Sequence, residues 1–306
     1  MQDREDDLVS SAGGSTGRGI EVGDSREATV GGIRVRRAMP RRERRTVGAW
    51  CFADHMGPVA VTREHGLNVG PHPHMGLQTV TWLIEGEALH RDSLGSQQLI
   101  APGQLNLMTA GEGVSHAEES TRSYEGALEG IQLWIAQPED TRHGPPAFEH
   151  HPDLPKLAIS QCVITVLIGD FNGVSSPARH DTDLVGVDLA LCSRIEVPLT
   201  PKFEYALIVL EGAIRVDETT LVPGKFGYLG ANREALVIES LGPSRAIMLG
   251  GKPFESPILM WWNFVGRTRE EIDEAHRSWQ SDDGRFGSVA SDLARIGTEP
   301  PYWNGF

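Results

Sequence analysis

Pro71-His72-Pro73-His74 and Gly113-Val114-Ser115-His116-Ala117-Glu118 decide how this chain is read. Each segment holds two metal-ligating side chains at spacing i, i+2. Successive side chains of a β-strand point to opposite faces, so residues two apart share one. His72 and His74 therefore point into one space, and so do His116 and Glu118. If the segments lie on neighbouring or facing strands of a small barrel, three imidazoles and one carboxylate converge. One His-x-His pair alone is weak evidence, because paired histidines also occur in surface loops. The second pair and its surroundings turn the balance. The first is followed by the apolar run Val80-Thr81-Trp82-Leu83-Ile84 and a Glu85-Gly86 turn. The second follows Pro102-Gly103, a strand-like Leu105-Asn106-Leu107-Met108 and the glycine-punctuated Ala110-Gly111-Glu112-Gly113. Both pairs sit at strand edges, where a barrel mouth would be. Imidazole and carboxylate ligation without thiolate suits iron, manganese, nickel or zinc. Ligating histidines must be neutral, so affinity should fall below about pH 6.5.

Composition bounds the rest. The 306 residues suffice for one large domain or two ordinary ones. Thirty-five glycines and nineteen prolines point to many short strands and turns. A formal net charge of −14 argues against a general binder of nucleic acid or anionic membrane. No apolar stretch approaches the roughly 18 residues of a membrane span. The acidic Met1-Gln2-Asp3-Arg4-Glu5-Asp6-Asp7 start is not read as a signal peptide. Cys51, Cys162 and Cys192 form no CxxC and read as reduced, buried thiols of a cytoplasmic protein.

The chain divides into four parts. Residues 1–28, polar and rich in glycine and serine, are expected to be a disordered tail. Residues 29–150 read as a metal-binding barrel of strands and turns, and 151–262 as a second barrel. Residues 263–306 hold a helix and a tail. Trp82-Leu83-Ile84-Glu85-Gly86-Glu87-Ala88 is echoed by Ile208-Val209-Leu210-Glu211-Gly212-Ala213-Ile214, and Leu99-Ile100-Ala101-Pro102-Gly103 by Thr220-Leu221-Val222-Pro223-Gly224. This internal repeat indicates a duplicated all-β barrel. The second copy lacks the ligands: it offers Pro201-Lys202-Phe203-Glu204 and Ala235-Leu236-Val237 instead. Near the C-terminus, Thr268-Arg269-Glu270-Glu271 has the form of a capping box. Ile272, Ala275, His276 and Trp279 then make an apolar stripe that docks the helix on a barrel. The helix is expected to tie the structure together, with His276 a packing residue. The arginine-dense stretch Arg34 to Arg45 is read as solvated strand and loop pairing with acids, since no aromatics interleave it.

These residues resemble the pirin family of bicupins. The likeness rests on Pro71-His72-Pro73-His74-Met75-Gly76-Leu77-Gln78-Thr79-Val80 and Met108-Thr109-Ala110-Gly111-Glu112-Gly113-Val114-Ser115-His116-Ala117-Glu118. Asp54-His55-Met56-Gly57-Pro58, the duplicated Glu-Gly turn and the late helix support it. It implies two cupin (jelly-roll) barrels packed together, with one divalent metal in the N-terminal barrel and none in the degenerate C-terminal one. His72, His74, His116 and Glu118 would be the ligands and Fe(II) the metal, with manganese, nickel, zinc or copper as alternatives. Many cupins place a glutamate where this chain has Gln78; the carboxylate is at Glu118 instead, as in pirins. Gln78 is either a pocket donor or a plain strand residue. The Met260-Trp261-Trp262-Asn263-Phe264-Val265-Gly266 stretch departs from the usual pirin form.

By this resemblance the activity is that of a quercetinase. A flavonol-like aromatic substrate and O₂ would be consumed and carbon monoxide released, with Glu118 either the base that takes the substrate proton or only a ligand. A second reading is a metal- or redox-dependent regulator acting through a protein partner, with Arg34 to Arg45 or Trp261-Trp262 as candidate surfaces. A third is a zinc-dependent cupin isomerase. His55, His65 and His90 are expected beside the site or on the surface, not among the ligands.

Overall fold

The computed structural model describes residues 19–304. Two sandwiches of the same plan are built almost wholly from antiparallel strands, each a long sheet facing a four-stranded one. In the first, the long sheet runs in the order Ala147–His151, Leu105–Thr109, Leu77–Glu85, Gly126–Ala136, Trp50–Val61, Ile33–Met39, Arg26–Val30. Its partner sheet is Asn68–His74, Val114–Glu119, Ala88–Asp92, Gln97–Ile100. In the second, the long sheet is centred on Glu204–Glu211, Ser244–Gly251 and Leu184–Leu191. It faces Arg194–Pro198, Ala235–Ser240, Ile214–Val216 and Thr219–Leu221. The repeat read from the sequence is thus a repeat of fold.

The long sheets pack against each other. One apolar cluster joins Trp50, Val80, Trp82, Ile131 and Leu133 of the first unit to Leu167, Ile168, Ile208, Phe226 and Leu249 of the second. Its polar atoms are matched. The Trp82 indole donates to Asp188 at 3.1 Å, and Asp188 also binds Arg245. The Gly48 N–H donates to Glu204 at 2.6 Å. Glu204 thereby has a structural post in the second unit, whose own interior is filled with Ile164, Val187, Leu207, Val209 and Ile238.

The expected tail needs correcting. Residues 1–18 lie outside the described part, but Glu21–Asp24 is a strand at the edge of the second unit's sheet, and Arg26–Val30 one in the first. Edge pairing uses backbone groups, so a segment poor in apolar side chains can still be recruited. The arginines nearby help. Arg44 pairs with Glu21 at 3.0 Å and lies 3.3 Å over the Tyr228 ring. Arg37 takes Asp54 in a two-pronged bond at 2.9 and 2.8 Å. One thiol also departs from expectation, since Cys192 is exposed while Cys51 and Cys162 are buried.

The helix is Arg269–Ser281, and the Thr268 hydroxyl caps it by accepting the Glu271 N–H at 3.2 Å. The reciprocal half of the box is displaced: the Glu271 carboxylate accepts from Arg267 N–H at 2.9 Å, one residue early. Ile272, Ala275 and Trp279 pack with Met75, Phe264 and Phe286, which seats the helix beside the His72–His74 strand. Gly76 makes this approach possible. Its φ is +70°, and a Cβ there would lie 2.1 Å from the Val265 carbonyl oxygen.

Candidate metal centre

His72 and His74 end the strand Asn68–His74, and His116 lies on Val114–Glu119, its antiparallel neighbour. In that pairing His116 stands opposite His72. One donor atom from each of the three histidines lies within 4.8 Å of the other two, the only such group among the described residues. The rings are 7 %, 1 % and 1 % exposed. They form the floor of a cavity of about 870 Å³ whose walls include Phe52, Gln132, Trp134, Trp261 and Trp262.

The hydrogen bonds turn one type of nitrogen inward. His72 Nδ1 donates to the Gly70 carbonyl at 2.8 Å, which leaves Nε2 as the free donor. His116 Nδ1 faces His90 Nδ1 at 3.4 Å. The Nε2 atoms of His74 and His116 stand 3.0 Å apart. Two lone pairs that close repel unless a proton or cation lies between them. Two nitrogens each about 2.1 Å from one cation, at a right angle, would be about 3.0 Å apart, so the donor set fits a metal. His74 Nδ1 is buried without a well-formed hydrogen bond, the Asn263 backbone being the polar group that acts on this imidazole.

Burial keeps the rings uncharged. It pushes His72 down to about 4 and His74 and His116 well below the ordinary value, with the neighbouring histidines adding to the effect. The imidazoles are therefore ready to ligate well below pH 6.5, lower than the sequence suggests.

Glu118 lines the same cavity but is not in the three-histidine group. Against Asn68–His74 the register shifts between His116 and Glu118, so that Glu118 stands opposite Val69 while His116 stands opposite His72. The Thr81 hydroxyl, with a single proton to give, lies 3.2 Å from the Glu118 carboxylate and 2.9 Å from the Gln132 amide oxygen. Burial raises its proton affinity, only partly countered by His90 and Thr81.

Other residues take less obvious places. Gln78 is fully buried and donates to Thr109 at 3.0 Å; it is not among the residues lining the cavity. His55 is buried against Glu129 at 3.0 Å, and His65 is exposed. His90 donates to Asp92 at 3.1 Å. Burial would raise Asp92, yet bonds from His90 and Ser96 hold it below the ordinary aspartate value. Two contributions were not legible in the sequence. Thr81 and Gln132 look like ordinary strand residues. The C-terminal segment, expected only to brace the fold, supplies Ile296, Thr298, Pro300 and Tyr302 to the cavity wall.

Comparison with known proteins agrees with this architecture. Residues 32–135 match the model of the Pirin family, and 184–287 that of the Pirin C-terminal cupin domain. A Pseudomonas aeruginosa protein named "Putative quercetin 2,3-dioxygenase" is 46 % identical over 291 residues, 94 % of this chain and 90 % of its own. A Pirin-like protein of Caulobacter vibrioides is 34 % identical, covering 85 % of this chain and 92 % of its own. The crystal structure of a quercetin 2,3-dioxygenase from Acinetobacter baumannii superposes with a TM-score of 0.89 at 44 % identity, covering 92 % and 95 % of the two chains. With both of its barrels matched and a relative this similar along nearly its whole length, the chain belongs to the pirin family.

Proposed function

We propose that this chain is a metal-dependent dioxygenase of the quercetinase type, opening a flavonol-like ring with O₂. The observation that carries the reading is the trio of uncharged histidines at the floor of an aromatic-walled cavity. The names of the Pseudomonas and Acinetobacter relatives support the same substrate class. His72, His74 and His116 would hold the metal, Fe(II) in this reading, with Glu118 as a fourth ligand. A bound iron supplies the Lewis-acid and redox capacity that oxygen chemistry needs.

The chain's own residues do the rest. Phe52 and Trp134 are stacked at 4.0 Å, and Trp134 meets His74 edge-on at 5.2 Å. These rings give a flat aromatic substrate a wall to lie against. Glu118, whose carboxylate is made more basic by burial, would take the proton of the substrate hydroxyl. Thr81 steadies it in place. A base with raised proton affinity works nearer neutral pH than an ordinary glutamate.

Anaerobic loading with Fe(II), metal analysis, then quercetin and O₂ test this reading on wild type and His72→Ala/His74→Ala. About one iron per chain and carbon monoxide release in wild type alone are expected. Iron binding without turnover would overturn the enzymatic reading and favour a metal-dependent regulator acting through a protein partner. No retained metal would overturn the centre itself.

A further inference from the structure

We infer that Asp92 and His90 are positioning residues: together they fix the tautomer of His116 so that its Nε2 stays a free donor at the metal centre. With His90 as a neutral imidazole, the chain of bonds leaves one consistent set of protons. Asp92 is 3 % exposed, and its Oδ1 accepts the backbone N–H groups of Leu94 and Ser96, each at 2.9 Å. That oxygen is anchored, which turns Oδ2 to His90 Nε2 at 3.1 Å. A carboxylate only accepts, so the His90 proton sits on Nε2 and its lone pair on Nδ1. That lone pair faces His116 Nδ1 at 3.4 Å, so His116 carries its proton on Nδ1 and keeps Nε2 bare.

Nothing in the array is free to swivel. His116 is opposite Asp92, and Glu118 opposite His90, in the strand register. The His90 ring is stacked on Phe148 with centroids 4.3 Å apart and planes 14° off parallel. A ligating histidine is commonly oriented by a carboxylate on its other nitrogen; here a second histidine is interposed. The inference deepens the metal-centre reading and rests on it for affinity, but not for the proton positions.

The test uses the full chain and three substitutions. Asp92→Asn is isosteric: the amide oxygen it introduces keeps the Leu94 and Ser96 bonds, so the amide nitrogen faces His90 as a donor. His90 must then place its proton on Nδ1, which drives the His116 proton to Nε2, into the centre. His90→Phe keeps the stack on Phe148 but removes the relay. His90→Gln restores an amide donor toward Asp92 and a carbonyl acceptor toward His116. Nitrogen-15 histidine NMR of the metal-free protein should show His116 protonated on Nδ1 in wild type and on Nε2 in Asp92→Asn. Zn(II) affinity, by competition with a chelating dye, should fall about 10- to 100-fold in Asp92→Asn and His90→Phe and recover in His90→Gln. Wild-type His116 protonated on Nε2, or both deficient variants within about threefold of wild type, would overturn the inference. So would His90→Gln as weak as His90→Phe. If His90→Phe does not fold, the NMR and affinity of Asp92→Asn and His90→Gln decide. Wild type that binds no Zn(II) would sink the metal-centre reading, while the metal-free NMR would still decide the proton positions. Quercetin turnover enters neither measurement.

Discussion

A Cβ on Gly186 would stand 2.8 Å from Cζ2 of Trp50, so the missing side chain of one barrel is the seat of an indole from the other. Trp50 is fully buried and donates to the carbonyls of Val185 at 3.2 Å and Gly250 at 3.1 Å. Both acceptors belong to the second unit's sheet. Gly186→Ala should push the ring off these bonds and cost about 1–3 kcal/mol, as overpacked cores do. Equilibrium urea unfolding checks it; an unchanged midpoint would mean the interface has slack around the ring.

Glu271 staples the helix to the first unit. Arg142, whose side chain is 7 % exposed, reaches both of its oxygens at 2.9 and 3.0 Å. Burial raises the Glu271 carboxyl, but bonds from Arg142 and the Arg267 backbone outweigh it, and the net shift is downward. A carboxylate favoured in the folded state adds stability above its ordinary value of 4.5 and loses it as pH falls through the folded value. Glu271→Gln should therefore cost about 1–3 kcal/mol at neutral pH and progressively less in acid below that value. Thermal melts of the two proteins across this range should converge; parallel curves would contradict the assignment.

What could be read from the sequence was what depends on side-chain alternation. The i, i+2 spacing of His72 with His74 aims both into one cavity because a strand has period two. The Glu85-Gly86 and Glu211-Gly212 turns betray the duplication because turns need particular residues. What could not be read depends on long-range pairing. Glu21–Asp24 joins the second unit's sheet through backbone bonds that leave no mark on side-chain pattern. Ile296, Thr298, Pro300 and Tyr302 line the cavity because the chain returns there after the helix, with Ile296 donating to the Pro71 carbonyl at 2.8 Å. The His90–Asp92 pair has ligand-like spacing, yet its register against His116 and Glu118 was visible only in the fold.

The three thiols should differ sharply in reactivity. Burial pushes Cys51 up to about 12, so it is essentially all thiol at pH 8 and closed to solvent. Cys192 is exposed, and its sulfur is 4.0 Å from that of buried Cys162, which accepts the Cys192 N–H. An aromatic disulfide reagent should attach at Cys192, releasing one thiolate. Cys162 should then displace the second, closing a protein disulfide. Two equivalents released by the native protein, none by Cys192→Ser, and the Cys51 equivalent only on unfolding are expected from the absorbance. A single native equivalent would show that the pair cannot close.

Metal binding should be visible as stability, independently of any turnover. The histidine cluster brings the strands Asn68–His74 and Val114–Glu119 together, a juxtaposition that exists only when the chain is folded. An ion held there binds the native state and not the unfolded chain. At a free concentration about 100 times its dissociation constant it should add about 2.7 kcal/mol, read as a rise in melting temperature that a chelator reverses. His74→Ala removes one donor of the 3.0 Å Nε2 pair, so its melt should not respond to metal or chelator. Its metal-free melt separates loss of the site from loss of the fold. If the variant still gained the wild-type increment, the stabilising ion would be bound elsewhere and the three histidines would be packing residues.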